Sequence, residues 1–146
     1  MKSEPNVYSI ADLQRERKTI WEGVRNYQAR NFLKAMSKGD LAFFYHSNSS
    51  PPGIAGLMQV ITPNIVDLTQ FDANSQYYDP KSSTESPRWH TVAVEFIEAF
   101  PQLISLETLK QEFSAEELWV VRRGNRLSVM PVPEAVAKKL REMAHA

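Results

Sequence analysis

The sequence predicts an α+β fold with a mixed, strongly curved sheet or a small barrel. Apolar stretches with strand composition are interspersed with short helical stretches, without the regular alternation of a βαβ protein. Glycine and proline interrupt or border most of these strands, which is typical of sheets that bend sharply. The 146 residues are enough for a hydrophobic core, so we expect a single domain over residues 1–146.

The N-terminal segment predicts a short strand followed by a capped helix. Asn6–Tyr8 has strand composition, and Ser9 is placed to cap a helix over Ile10–Glu16. Asp12 stands at the third helical position, where its carboxylate completes a weaker form of the capping box.

The stretch Trp21–Asn31, W-E-G-V-R-N-Y-Q-A-R-N, carries more hydrogen-bonding groups than a segment that only fills a core. We interpret its first half as a loop that leads into a helix starting near Tyr27, with Asn26 as the N-cap. Gly39 suits the left-handed cap that would end this helix. The N–H groups at the start of a helix favour electron-rich ligands.

The middle of the chain predicts two neighbouring strands and a long loop. Leu41–Tyr45 and Ile54–Ile61 are apolar runs separated by a polar tip at residues 46–53. Gly56 inside the second run predicts a bulge or a close approach of another backbone. Residues 67–90 are polar and rich in turn residues, and a loop of this length in a small domain is usually functional or mobile.

Five further elements are predicted after this loop from strand composition, caps and helix breakers. They are a strand over Thr91–Phe96 ended by Pro101, a helix over Leu106–Glu112 capped by Ser105, a helix from Ser114 to Gly124, a strand over Arg126–Met130, and a helix over Glu134–Ala144 begun by Pro133.

Composition excludes several kinds of functional site. The chain has no cysteine, so neither disulfides nor thiolate metal sites are possible. His46, His90 and His145 are far apart and no phosphate-binding or dinucleotide-binding glycine motif occurs, so we expect no metal and no cofactor. Ser47 and the adjacent His46 would point to opposite sides of a strand end, which disfavours a hydrolytic pair.

We expect a soluble, intracellular monomer that does not contact membranes, cytoplasmic in a bacterium and nuclear in a eukaryote. The N-terminus has no apolar run of the signal-peptide kind, and no window approaches the ~20 apolar residues of a membrane span. Net charge is zero, but Lys and Arg outnumber Asp and Glu in residues 1–50 and 122–146. This distribution fits a local basic face and fits ordinary solvated charges equally well.

Aromatic and polar side chains in the predicted loops indicate a binding pocket. The aromatic residues at loop edges are Trp21, Tyr27, Tyr77, Tyr78 and Trp89, and the polar residues near them in sequence are Asn26, Ser47, Asn48 and Asp79. Aromatic faces beside amide, hydroxyl and carboxylate groups are what a nucleobase pocket requires. For Trp21 and Trp89, a half-buried core position and a stacking platform are both compatible with the sequence.

The same residues carry a resemblance to a known family. The stretches M-K-S-E-P, W-E-G-V-R-N-Y-Q-A-R-N, K-x-G-D-L-x-F-F-Y-H-S-N, P-P-G-I-x-G, Y-Y-D-P-K-S, R-W-x-x-V-x-V and R-L-S-V-M-P-V resemble the EVE domain of the thymocyte nuclear protein family, in matching order over nearly the whole chain. The resemblance implies a PUA-like fold related to YTH domains, which is a small, curved, mixed β-barrel flanked by short helices. It also implies a pocket for modified nucleobases, of which 5-modified cytosines are the usual proposal.

The resemblance implies a base-binding pocket built from residues that lie far apart in the sequence. They are Lys2, Ser3, Trp21, Val24, Asn26, Tyr45, His46, Ser47, Asn48, Tyr78, Asp79 and Trp89. The expected partner is DNA or RNA with a modified base, preferably in a single strand, and the base would be flipped into the pocket. Arg25 and Arg30 are the residues we expect to contact phosphates.

Two other classes of function stay open. A protein that binds a small planar metabolite or a free nucleoside needs the same aromatic and amide groups without a basic rim. An enzyme acting on nucleic acid would use Asp79 or His46 as a general base. We rank the base reader, a binding protein without catalytic residues, first among the three.

Overall fold

The computed structural model describes residues 1–146 and contains one five-stranded mixed sheet with the order β1-β3-β4-β5-β2. The strands are β1 (Lys2–Ser3), β2 (Lys18–Ile20), β3 (Leu41–His46), β4 (Gly53–Val66) and β5 (His90–Ser105). The helices are α1 (Ile10–Glu16), α2 (Tyr27–Lys34), α3 (Leu106–Glu112) and α4 (Glu134–Ala144), with 3-10 turns at Leu68–Phe71 and Trp119–Val121. Only β1 and β3 pair in parallel. The predicted α+β class with a mixed sheet is confirmed.

The long strands β4 and β5 curve because their pairing is repeatedly interrupted. The register shifts between Ile54 and Gly56 and again further along the pair, and each bulge bends the sheet and increases its twist. A Cβ atom at Gly56 would lie 2.5 Å from the Glu98 carbonyl oxygen and 2.6 Å from the Ile10 side chain. The predicted bulge and close approach at Gly56 are therefore both confirmed.

The sheet separates two hydrophobic cores. Phe44 points to one face and packs with Leu13 and Leu33, which come from α1 and α2. Its neighbours Phe43 and Tyr45 point to the other face, where α3 and α4 pack. The two faces of β3 thus belong to different cores, and the candidate site described below lies on the α1 and α2 side.

Helix caps follow the predicted pattern. The Ser9 hydroxyl accepts a hydrogen bond from the Asp12 N–H, and the Asp12 carboxylate accepts one from the Ser9 N–H. Asn26 caps α2 because its side-chain oxygen accepts a bond from the Ala29 N–H at 2.9 Å. Ser105 caps α3 in the same way, and Pro133 precedes α4.

Three strand predictions are wrong or incomplete. Residues 6–8 form a turn, and the N-terminal strand is instead β1, which lies beside β3. β5 continues past Pro101. No β4 residue pairs with this proline, so the N–H that proline lacks is not needed for a hydrogen bond between the strands. Residues 126–130 form no strand and are held to β1 by a backbone bond from Lys2 to Ser128.

Two helix predictions also differ from the structure. α2 ends at Lys34, well before Gly39, whose positive φ of 95° serves a separate turn. The Ser114–Glu117 capping box forms, but only the 3-10 turn at Trp119–Val121 follows it. No helix of this fold combines the length and the hydropathy that spanning a membrane requires.

Candidate nucleobase site

A cavity of about 620 Å³ opens beside β1 and β2 and is bounded by the loop that precedes α2. Its lining residues are Lys2, Ser3, Glu4, Val7, Tyr8, Thr19, Ile20, Trp21, Glu22, Gly23, Val24, Ser47, Gln76, Tyr77, Arg126 and Ser128. The structure therefore brings together five residues of the predicted pocket, namely Lys2, Ser3, Trp21, Val24 and Ser47.

Tyr77 forms an aromatic wall of this cavity because Gly23 leaves room for it. A Cβ atom at Gly23 would lie 2.5 Å from the Tyr77 ring, and Gly23 has a φ of +89°. A side chain at position 23 would therefore displace the ring and strain the backbone. The sequence indicates that Tyr77 is a loop aromatic but does not assign it to the pocket, because its contact with Gly23 joins two loops that lie far apart in the chain.

Trp21 belongs to the core and also borders the cavity. Its side chain is 7% exposed, and its ring meets Phe44 edge to face with centroids 5.3 Å apart. The backbone N–H of Trp21 donates to the Val92 carbonyl, and the backbone carbonyl of Trp21 accepts a bond from the Thr91 hydroxyl. Of the two roles considered for Trp21, the structure therefore shows the core position, with the backbone held by these two bonds and the ring packed on Phe44.

The buried carboxylate of Asp67 holds this loop in place, and sequence analysis missed it. Asp67 is 2% exposed and accepts hydrogen bonds from the Gly23 N–H at 2.9 Å and from the Thr69 N–H at 3.0 Å. Arg25 Nη1 lies 3.1 Å from the same carboxylate. Burial alone would raise the pKa of Asp67, but the bonds from Gly23, Thr69 and Arg25 outweigh it and hold this pKa below the ordinary value.

The predicted phosphate contact of Arg25 conflicts with its geometry. Its guanidinium donates to the carbonyls of Tyr77 and Val24, to the Asp67 carboxylate and to the Thr69 hydroxyl. These five bonds match the five N–H groups that an arginine has, so none is left for a phosphate. Arg25 instead fixes the backbone of Tyr77 and hence the aromatic wall.

Trp89 and Asp79 lie outside the cavity lining and form a hydrogen bond with each other. The Trp89 Nε1–H donates to the Asp79 carboxylate at 2.7 Å, and this bond is the main reason that the pKa of Asp79 is lowered. Trp89 is 5% exposed, and its ring stacks on Tyr27 with centroids 4.8 Å apart. Arg30 lies over the Tyr27 ring and donates to the Arg88 carbonyl, which leaves part of its guanidinium free.

The remaining predicted pocket residues also lie apart from the lining. Asn26 caps α2, and Tyr45 borders an apolar cavity of about 670 Å³ on the opposite face of the sheet. His46 Nε2 accepts the Ile10 N–H at 3.1 Å, and burial lowers the pKa of this histidine. Asn48 donates to Glu4, and Tyr78 is an exposed loop residue.

The cavity carries charges of both signs. Lys2 and Arg126 take part in no ion pair, and burial lowers the pKa of Lys2. Of the two lining carboxylates, Glu4 accepts a bond from Asn48 at 3.2 Å, whereas Glu22 has no hydrogen-bond partner. Burial, and secondarily the negative charge of Asp67, raises the pKa of Glu22. No group of three or more His, Asp and Glu side chains is placed to hold a metal ion.

Sequence comparisons connect this chain to a family. The sequence profile of the EVE domain matches residues 1–143. Human thymocyte nuclear protein 1 is 42% identical over 152 residues, an alignment that covers 92% of this chain and 68% of that protein. An uncharacterised protein of Schizosaccharomyces pombe is 35% identical over 127 residues, which cover 85% of this chain and 53% of the yeast protein.

Solved structures agree with these relationships. A crystal structure of a Pseudomonas syringae protein superposes with a TM-score of 0.95 at 44% identity, covering 99% of this chain and 97% of that one. The structure of the human THYN1 protein in complex with DNA containing 5-methylcytosine superposes with a TM-score of 0.92 at 39% identity, covering 100% of this chain and 96% of that one.

Proposed function

Because this chain belongs to the EVE domain family, we propose that it binds a modified base in DNA, with 5-methylcytosine as the first ligand to test. The base would enter the cavity beside Trp21 and Tyr77. The observation that carries this proposal is a cavity with aromatic and polar walls in a chain whose homologue THYN1 has been solved with 5-methylcytosine DNA.

The size and walls of the cavity support a flipped base. A volume of about 620 Å³ lies within the range of small-molecule pockets. A base inside a duplex cannot reach a cavity of this kind, so the nucleotide has to leave the stack. Stacking of the base on the Tyr77 ring would contribute ~1–3 kcal/mol.

The proposal also concerns the kind of nucleic-acid strand that carries the modified base. Extruding a paired base costs a few kcal/mol, so single strands and mismatched sites should bind more tightly than a matched duplex. RNA with the same modified base is an equivalent ligand for the base-contacting walls. We further propose that the protein binds this base as a monomer.

A titration of labelled strands tests the proposal. Matched DNA and RNA strands would each hold one cytosine, 5-methylcytosine, 5-hydroxymethylcytosine or N6-methyladenine. We expect the methyl group to improve binding by about 10- to 200-fold over cytosine, the range of one methyl in a fitted pocket. Equal weak binding of all strands would contradict the proposal.

A pair of adjacent tyrosines provides matched variants. Tyr77→Ala removes the aromatic wall but keeps the backbone carbonyl that Arg25 needs, so we expect weaker binding of the modified strand. Tyr78→Ala removes an exposed ring outside the lining and should leave affinity unchanged. If the free nucleoside binds as tightly as the strand and salt has no effect, the ligand is a small molecule instead.

A further inference from the structure

A cavity that selects 5-methylcytosine in DNA also has to reject thymine. Thymine carries the same methyl group at the same ring position, so contacts to the methyl cannot separate the two bases. They differ at C4, where cytosine has an amino donor and thymine a carbonyl acceptor. The following inference rests on the proposed function and concerns the group that reads this difference.

The lining side chains differ in what they can recognise at C4. Lys2 and Arg126 only donate hydrogen bonds, so either would favour the thymine carbonyl. The serine hydroxyls and the Gln76 amide both donate and accept, so they adapt to either base. Only the carboxylates of Glu4 and Glu22 accept without donating, and only they would favour an amino group.

Of these two carboxylates, Glu22 is the one left free. Glu4 accepts a bond from the Asn48 amide, which also draws it toward the tip that follows β3. Glu22 has no hydrogen-bond or ion-pair partner, and it stands between Trp21 and Gly23 in the loop that Asp67 holds in place. Glu22 is an exposed residue, and partial desolvation together with the negative charge of Asp67 raises the pKa of its carboxyl group.

We propose that Glu22 accepts a hydrogen bond from the exocyclic amino group of the bound base and thereby selects 5-methylcytosine over thymine. The bond is charge-assisted, because the acceptor is a carboxylate. Thymine would instead place its O4 carbonyl against that carboxylate, two acceptors without a proton between them. The ligand class is therefore bases with an amino group on this edge, which includes 5-hydroxymethylcytosine.

The test uses single strands that differ at one position, which is 5-methylcytosine, cytosine or thymine. For the wild-type protein we expect 5-methylcytosine to bind about 10- to 100-fold more tightly than thymine. Glu22→Gln offers both a donor and an acceptor, so it should bring this ratio close to one while the ratio of 5-methylcytosine to cytosine persists. Glu116→Gln, an exposed carboxylate outside the cavity, is the control and should change neither ratio.

The two ratios separate this inference from the proposed function. If wild-type protein does not distinguish 5-methylcytosine from cytosine, the proposed function fails for 5-methylcytosine, and the role of Glu22 fails with it. If that distinction holds but Glu22→Gln keeps the wild-type preference over thymine, another group reads the amino edge and the assignment of Glu22 is overturned. Equal wild-type binding of 5-methylcytosine and thymine would overturn it as well. Thermal unfolding of each variant confirms that the fold is intact.

Discussion

At the scale of single residues, Asp67 connects the loop that borders the cavity to the segment that carries the aromatic wall. It receives the Gly23 N–H directly, and through Arg25 it is linked to the Tyr77 carbonyl. Because the carboxylate is almost fully buried, each of these bonds forms away from water and is difficult to replace.

We predict that Asp67→Asn lowers the free energy of unfolding by ~3 kcal/mol, the lower end for breaking a buried ion pair, since Arg25 is partly exposed. The amide keeps the shape of the side chain but leaves the Arg25 charge without its partner. Urea unfolding of the variant and of Glu85→Gln, an exposed carboxylate in the same loop, measures the difference. Equal stability of the two variants would rule out this role for Asp67.

Gly23 and Gly124 allow a matched comparison of two glycine-to-alanine variants. Both have a positive φ, but a Cβ at Gly23 meets the Tyr77 ring whereas a Cβ at Gly124 meets nothing within 4 Å. We predict that Gly124→Ala costs about 1 kcal/mol of backbone strain and leaves base binding intact. Gly23→Ala should cost more and also weaken binding of the modified strand. Denaturant unfolding and strand titration of both variants check this, and equal effects would contradict it.

Residues whose role is local were predictable, and those whose role joins distant loops were not. Asn26 and Ser9 were identified as caps because a cap bonds to an N–H only three residues away. Asp67 acts across 44 residues on Gly23, and no local pattern indicates such a bond. Trp89 was assigned to the pocket by the family resemblance, whereas the structure pairs its indole with Asp79 outside the cavity lining.

At the scale of elements, the start of α2 explains why Asn26 resembles a pocket residue. Its amide lies next to the loop that borders the cavity, but its oxygen already accepts the Ala29 N–H. The Asn26 side chain could therefore bond either the Ala29 N–H or the base, and substitutions can distinguish these two roles.

We predict that Asn26→Ala destabilises the protein by about 1 kcal/mol, the usual value of an N-cap. Asn26→Ser keeps a capping oxygen but loses the amide, so stability and strand binding should both stay near wild type. Thermal unfolding and the strand titration measure the two effects. A serine variant that is stable but no longer binds would show that the amide contacts the base.

The start of α1 depends on a histidine in β3. His46 Nε2 accepts the Ile10 N–H and is therefore unprotonated, and burial keeps the pKa of His46 below 6.5. The unfolded chain binds a proton at this residue first as the pH falls. Stability from this bond is therefore full above pH 6.5 and declines as the pH drops toward the lowered pKa.

We predict that the stability advantage of wild type over His46→Gln shrinks when the pH falls from 7.5 to 5.5. Urea unfolding at several pH values gives this difference, in which the other titrating groups cancel because both proteins contain them. A difference that is constant with pH would mean that the proton does not compete with the Ile10 N–H.

At the scale of the whole molecule, zero net charge limits the affinity for nucleic acid without a modified base. Arg126 places an unpaired positive charge at the cavity, and Lys2, whose Nζ lies 5.9 Å from the centroid of the Tyr45 ring, is the second unpaired cation that borders it. The electrostatic part of binding should therefore involve one or two phosphates.

We predict a slope of about −0.7 to −1.4 for log affinity against log salt on single strands, the value for one or two phosphate contacts. Arg126→Ala should reduce its magnitude by about 0.7. Arg141→Ala, which removes an exposed charge from α4 on the opposite face, should leave the slope unchanged. Equal slopes for all three proteins would exclude a phosphate contact by Arg126.

The fold class was predictable at this scale because strands and short helices are interspersed along the chain without the regular alternation of a βαβ protein. The lengths of β4 and β5 were not, since bulges let both strands continue past residues such as Pro101 that usually end a strand. The cavity itself arises where β1, β2 and the loop before α2 meet. No sequence pattern within any one of these segments indicates that it contacts the others.

The bonds that fix the loop before α2 have a kinetic consequence. Because Asp67 holds Gly23 and Arg25 in the free protein, the loop that borders the cavity is fixed before a base enters. Opening of the nucleic acid, and not rearrangement of the protein, should then limit the rate of association. A mismatch opposite the modified base should accelerate association, while the dissociation rate from the occupied cavity should change much less.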